Sequence, residues 1–174
     1  MTKSMKPFLA SSILAASLFS AGTLAPLSTA LAVTCSGYGC DNTSPVSTGC
    51  SSSATTKRTT NMYNNQWPYN LVSKVELRYS STCHTVWSRV VLLSDEGATD
   101  VYTDVTRRIT NPDTGAKTYK TASDVDYNLW YPASAYSPQL YLSTGANGHA
   151  GKALGNVTNQ TVMSASGETS YWSY

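Results

Sequence analysis

Four kinds of side chain here have the type and spacing to do chemistry: cysteines, histidines, clustered carboxylates, and a surplus of tyrosine and tryptophan. The cysteines are Cys35, Cys40, Cys50 and Cys83. In a chain exported to an oxidising compartment, an even count reads as two disulfides, for which three pairings are open. Cys35–Cys40 with Cys50–Cys83 is favoured. Gly37 and Gly39 let the short first loop bend, and the second bridge would tie the N-terminal loop to a central hairpin. Four thiolates also suit zinc, but the spacing lacks the paired Cys-x2-Cys knuckle of a structural zinc site. Neither a metal nor a cofactor is expected.

His84 directly follows Cys83, and His149 lies in a glycine-rich stretch from Gly145 to Gly155. A histidine base needs a nucleophile and an orienting carboxylate, and no Gly-x-Ser-x-Gly elbow is present to supply the first. Residues 146–152 are a near miss to a phosphate loop. Ala153 stands where a Ser or Thr would bind magnesium, so the stretch reads as a flexible hairpin loop. Asp95 with Glu96, and Asp124 with Asp126, are the densest carboxylates. No Asp-x-Asp-x-Asp-Gly calcium loop contains them, and they read as turns. No catalytic residue is assigned.

The aromatic residues say more. The chain has 12 Tyr and 4 Trp against 2 Phe. Tyr and Trp carry a polar tip and favour half-exposed positions, where they stack on sugar rings or grip a protein surface. Trp67, Trp87 and Trp130 are the first candidates for exposed contact residues, with Arg78 and Arg89 beside them as further binding candidates.

The elements that position these residues belong to residues 33–174, expected to be one exported domain. Residues 1–32 have the three parts of a secretory leader: Lys3 and Lys6, an apolar run from Phe8 to Leu24, and an Ala-x-Ala cleavage site ending at Ala32. Without that leader, ten basic side chains face 10 acidic ones. A near-neutral chain is a poor sequence-independent nucleic-acid binder. No span of the mature chain is expected to cross a membrane.

Residues 34–66 are rich in Ser, Thr, Gly and Asn and cannot bury enough surface to fold alone; the cysteines would order them. Residues 74–80 alternate, with Val75, Leu77 and Tyr79 on one face and Lys74, Glu76 and Arg78 on the other. Residues 83–93 return as a β-branched strand. A connection of two or four residues places Tyr79 opposite His84 and Leu77 opposite Val86, with Trp87 and Arg89 on the polar face. A three-residue loop buries Trp87 against Val75 and Leu77. Further strands are expected over residues 101–110, 116–122, 127–131 and 139–143, with a turn at Asn111-Pro112-Asp113-Thr114-Gly115 and weak alternation over 162–174. The fold class is all-β: a small antiparallel barrel or sandwich stapled by two disulfides, with an irregular N-terminal segment.

Over residues 35–93 the chain resembles a family of small exported proteins, the domain of unknown function 2690 family. The likeness rests on Cys35-Ser36-Gly37-x-x-Cys40, on Ser44-Pro45 before Cys50, and on Val75-Glu76-Leu77-Arg78-Tyr79-Ser80 followed by Cys83, Trp87, Arg89 and Val90. Ser51, Ser52 and Ser53 stand where the family has a more polar, often Asp-bearing stretch. The resemblance implies export, disulfides and a compact β module, and no activity. The expectation is therefore a secreted monomeric binding module whose partner is a cell-wall or extracellular polysaccharide. An inhibitor of an extracellular protein, engaging its target through a rigid loop near Cys35–Cys50, is the second reading. A hydrolase is the third.

Overall fold

A computed structural model describes residues 32–143, 148–159 and 163–174; the expected leader lies outside them except for Ala32. Among the described residues there is no α-helix. Two single 3-10 turns, Gly37–Cys40 and Cys50–Ser53, precede β1 (Ala54–Tyr63), β2 (Leu71–Ser80), β3 (Thr85–Leu92), β4 (Thr99–Thr110) and β5 (Lys117–Leu129). There follow β6 (Ser134–Tyr136), β7 (Leu140–Tyr141), β8 (Ala150–Asn159), β9 (Ser164–Glu168) and β10 (Trp172–Ser173). The first sheet runs β1-β2-β3-β6, with β7 also on β3; the second runs β10-β8-β4-β5, with β9 on β8. The two antiparallel sheets form a sandwich, not a closed barrel.

The alternation of the sequence builds the core. Val75, Leu77 and Tyr79 of β2, with Val86, Val90 and Leu92 of β3, face Val101 and Val105 of β4 and Ala153 and Val157 of β8. The sheets meet closely where β8 carries glycine. A Cβ on Gly155 would run into Val90 Cγ2 and lie 3.2 Å from Val75 Cβ. One on Gly151 would stand 3.0 Å from Val86 Cγ2. The glycine-rich stretch is therefore a strand from Ala150 onward, not a hairpin loop; residues 144–147 lie outside the described residues. Its glycines are spaced for sheet-to-sheet contact, which composition alone reads as flexibility.

Three other expectations change. Residues 54–63 form an edge strand, although Met62 is its only buried side chain and the composition reads as irregular. Residues 127–129 continue β5, and residues 130–133 cross between the sheets instead of forming a strand. Asp124 and Asp126 lie within β5, not in a turn, whereas Asp95 does cap its turn by accepting the Gly97 N–H at 3.2 Å.

The β2–β3 hairpin has four loop residues, with Ser80 opposite Thr85. Tyr79 pairs with Val86 and Leu77 with Ser88, two residues on from the partners expected. A two-residue turn needs positive φ, which Ser81 and Thr82 disfavour; in the longer loop His84 adopts φ 54°. Because the loop length is even, Trp87 and Arg89 stay on the face of Arg78 and Glu76, as expected for that case.

Disulfides join Cys35 to Cys40 and Cys50 to Cys83, the favoured pairing, with Cα separations of 5.2 and 5.7 Å. The N-terminal segment they brace, residues 33–53, is tied to both sheets at one end of the sandwich. Asp41 accepts from Arg107 Nη1 at 3.0 Å and Lys120 Nζ at 3.0 Å, and takes the Tyr141 N–H at 2.6 Å. Gln139 Nε2 donates to Thr43 Oγ1 at 2.9 Å and Thr48 Oγ1 at 2.8 Å, while its Oε1 accepts from Thr85 Oγ1 at 2.7 Å.

Candidate functional site

The opposite end of the sandwich is fringed by loops. β1 and β2 are joined there by residues 64–70, and β5 passes to β6 there through Trp130, Tyr131, Pro132 and Ala133. Register places the two crossings together. Tyr63 is opposite Leu71, Ser73 opposite Leu92, and Val91 opposite Ser134, so β1, β2, β3 and β6 reach this end side by side. From the β1–β2 loop to the β6 side is two to three strand spacings, about 10–15 Å.

The first loop is held, not merely exposed. Asn64 N–H donates to Asn70 O at 2.9 Å, and Asn70 N–H donates to Asn64 Oδ1 at 2.9 Å. Asn65 reaches across to the second sheet: its N–H donates to Ser164 O at 3.0 Å and its Oδ1 accepts the Ser164 N–H at 3.1 Å. The second crossing is tied by Leu92 N–H to Ala133 O at 3.1 Å. Both carry an aromatic–proline dipeptide with a cis peptide bond, Trp67-Pro68 and Tyr131-Pro132.

These anchored turns present aromatic rings to solvent. Trp67 is 85% exposed and Trp130 62%, and Tyr63, Tyr69 and Tyr131 are exposed with them. Around the corner, on the outer face of the second sheet, Tyr102, Val125 and Tyr127 line a shallow depression with Asn156 and Thr158. A larger depression at the tip of the β4–β5 hairpin is lined by Ile109, Asn111, Pro112, Asp113 and Thr118. It holds no aromatic ring, and Asn111 Oδ1 is spent on the turn's own N–H groups at Asp113 and Thr114.

Trp87 does not belong to this set. It is 1% exposed, which corrects its expectation as an exposed contact residue. Nor is it packed against Val75 and Leu77. It lies on the outer face of β3 opposite Arg78, where residues 137–139 run alongside. Ser137 N–H donates to Ser88 O at 3.0 Å, and Gln139 pins that segment under the disulfide knot. Sequence alternation sees the polar neighbours of Trp87 on this face but not its burial.

Arg78 and Arg89 are engaged on the same outer face by Glu76, which is buried. Arg89 Nε donates to Glu76 Oε2 at 2.8 Å, Lys74 Nζ lies 2.8 Å from Oε1, and Arg78 Nη1 lies 3.6 Å from Oε2. Arg78 Nη2 also donates to Ala54 O at 3.1 Å, which closes the hairpin edge. Burial raises the Glu76 pKa, but hydrogen bonds from Lys74 and Arg89 outweigh it and hold the carboxyl below its ordinary value.

The histidines lack catalytic company among the described residues. His84 Nδ1 bonds Tyr79 Oη at 2.9 Å, and His149 Nδ1 accepts the Ser143 N–H at 3.1 Å; neither imidazole is joined to a carboxylate. Burial, and then the Arg107 charge, push the His149 pKa down.

Anchored turns with exposed aromatic rings at one end and two disulfides at the other mark a disulfide-stapled β-sandwich. The chain belongs to the family described as a protein of unknown function, DUF2690, which matches residues 38–150. That match runs well past residue 93, where the likeness was expected to stop, and takes in Trp67, Trp130, the first sheet, and β4 and β5 of the second. No curated protein and no solved structure matches the chain. Sequence reasoning found the aromatic residues but not their assembly. The dipeptides Trp67-Pro68 and Tyr131-Pro132 were the available signal, since a residue before proline is turned away from helix toward extended or turn backbone.

Proposed function

We propose that this protein is an exported binding module whose aromatic end holds a cell-wall or extracellular polysaccharide. The observation that carries the reading is the gathering of Trp67, Trp130, Tyr63, Tyr69 and Tyr131 at one end, exposed on loops that are hydrogen-bonded in place. Rings pre-positioned in this way lose little freedom on binding, and a face about 10–15 Å across accommodates more than one sugar ring. Export accords with the leader-like residues 1–32 and with two disulfides and no free cysteine. No helix among the described residues is long and apolar enough to cross a membrane.

The test is co-sedimentation of the oxidised protein with purified bacterial cell walls and with insoluble polysaccharides, at low and high salt. Salt-resistant pelleting is expected, lost in Trp67→Ala and Trp130→Ala. Failure to pellet on any polymer would turn attention to the second reading, an inhibitor of an extracellular protein. That reading has its own support in the disulfide-braced residues 33–53, where Tyr38 and Val46 are exposed. Mass analysis of the secreted protein tests the leader, with cleavage after Ala32 expected.

A further inference from the structure

We infer that the free edge of β5 is a self-association site and that two copies of this chain pair there about a twofold axis. β5 has thirteen residues and, among the described residues, pairs as a strand on one side only, with β4. The hairpin sets which groups are free. Asn111 N–H bonds Ala116 O, and Arg107, Val105 and Thr103 stand opposite Lys120, Ala122 and Asp124. By antiparallel alternation those pairs bond to each other, and Tyr119, Thr121, Ser123 and Val125 turn their N–H and C=O groups outward. All four are exposed, as is Asp124.

An edge of this length invites pairing, and lysine on such an edge ordinarily repels it. Here the charges run in order along the strand: Lys117 and Lys120 in its first half, Asp124 and Asp126 in its second. A parallel neighbour in register would set like charges together. An antiparallel second copy does the reverse. A twofold axis normal to the sheet keeps each face on the same side, so odd residues meet odd and even meet even. Centred on Ala122, this register sets Thr121 opposite Ser123 and Tyr119 opposite Val125 as bonded pairs. Lys120 meets Asp124 in the closer non-bonded positions, twice per dimer. The exposed Tyr119 and Val125 would cover each other.

Two existing contacts bear on this. Asp124 Oδ1 now accepts the Val125 N–H at 2.9 Å, and pairing would pass that donor to Tyr119 O of the second copy and free the carboxylate for Lys120. Lys120 Nζ lies 3.0 Å from Asp41, yet its side chain is 40% exposed, so it can serve a second carboxylate. The sequence reading of a monomer takes no account of this edge. The inference does not rest on the polysaccharide reading. If both hold, the antiparallel axis points the two aromatic ends in opposite directions, the arrangement of a cross-linker.

The test is sedimentation velocity of the oxidised protein from about 1 to about 500 µM. The wild type is expected to pass from one chain mass to two. Asp124→Lys and Lys120→Asp, each confirmed as folded by circular dichroism, should each weaken self-association by on the order of tenfold or more. An equimolar mixture of the two should restore a dimer, because both cross-strand pairs then become opposite in charge. Thr121→Pro, which removes an outward N–H and no β4 bond, should give a folded monomer. A wild type that remains one chain throughout, folded charge variants that still dimerise as well as wild type, or a mixture that does not, would overturn the assignment.

Discussion

Glu76 shows how one residue organises a face. It stands between three cations on the outer side of the first sheet, and its removal would leave Lys74, Arg78 and Arg89 without their shared partner. Glu76→Gln should cost about 2 kcal/mol at neutral pH, measured by urea unfolding. Its pH dependence follows from the lowered carboxyl. The unfolded chain takes up the proton first as acidity rises, so the Glu76 contribution is complete above the unfolded value near 4.5 and is lost as pH falls through the lower folded value. The stability gap between wild type and Glu76→Gln should therefore narrow as pH falls below 4.5; a gap that is constant with pH would refute the ion-pair account. Trp67 makes the opposite case. At 85% exposure it supports nothing in the core, so Trp67→Ala should leave the unfolding free energy within about 0.5 kcal/mol while abolishing binding.

At the scale of elements, the fit of β8 against the first sheet depends on missing side chains. Gly155→Ala places a methyl against Val90 and Val75 and should destabilise by about 1–3 kcal/mol, whereas Gly97→Ala, which meets no neighbour within 4 Å, tests the backbone strain of φ +80° alone. The disulfides should differ in weight. Cys50–Cys83 closes a separation of 33 residues and Cys35–Cys40 one of 5, so serine pairs at these positions should cost about 4 and about 2 kcal/mol. Equal losses in calorimetry would say that the longer bridge does not act on the unfolded chain. The strands legible in the sequence were β2 and β4, from one buried and one polar face, β3, from its β-branched run, the first half of β5, returning from the turn at Asn111-Pro112, and the short β7 within residues 139–143. β1 escaped because an edge strand with a single buried side chain shows no alternation. β8 escaped because its inward positions before Val157 hold glycine and alanine, which carry almost no hydrophobic signal. Among the candidate contact residues, Trp67 and Trp130 were legible from their proline and polar neighbours. The burial of Trp87 was not, since alternation places it on the face of Arg78 and Arg89.

The whole molecule has two unlike ends. At one, cystines, Asp41 and Gln139 lock the N-terminal segment across both sheets. At the other, polar side chains hold the loops in shape while the aromatic rings point outward. The measurement that tests this division most directly is a nuclear magnetic resonance titration of the indole N–H signals with soluble peptidoglycan fragments and with chitin and cellulose oligosaccharides. The chain has 4 Trp, two at the aromatic end and two, Trp87 and Trp172, away from it. The account predicts that Trp67 and Trp130 shift together and saturably with at least one of these probes, while Trp87 and Trp172 stay in place. Shifts confined to Trp87 or Trp172, or no shift with any probe, would contradict it.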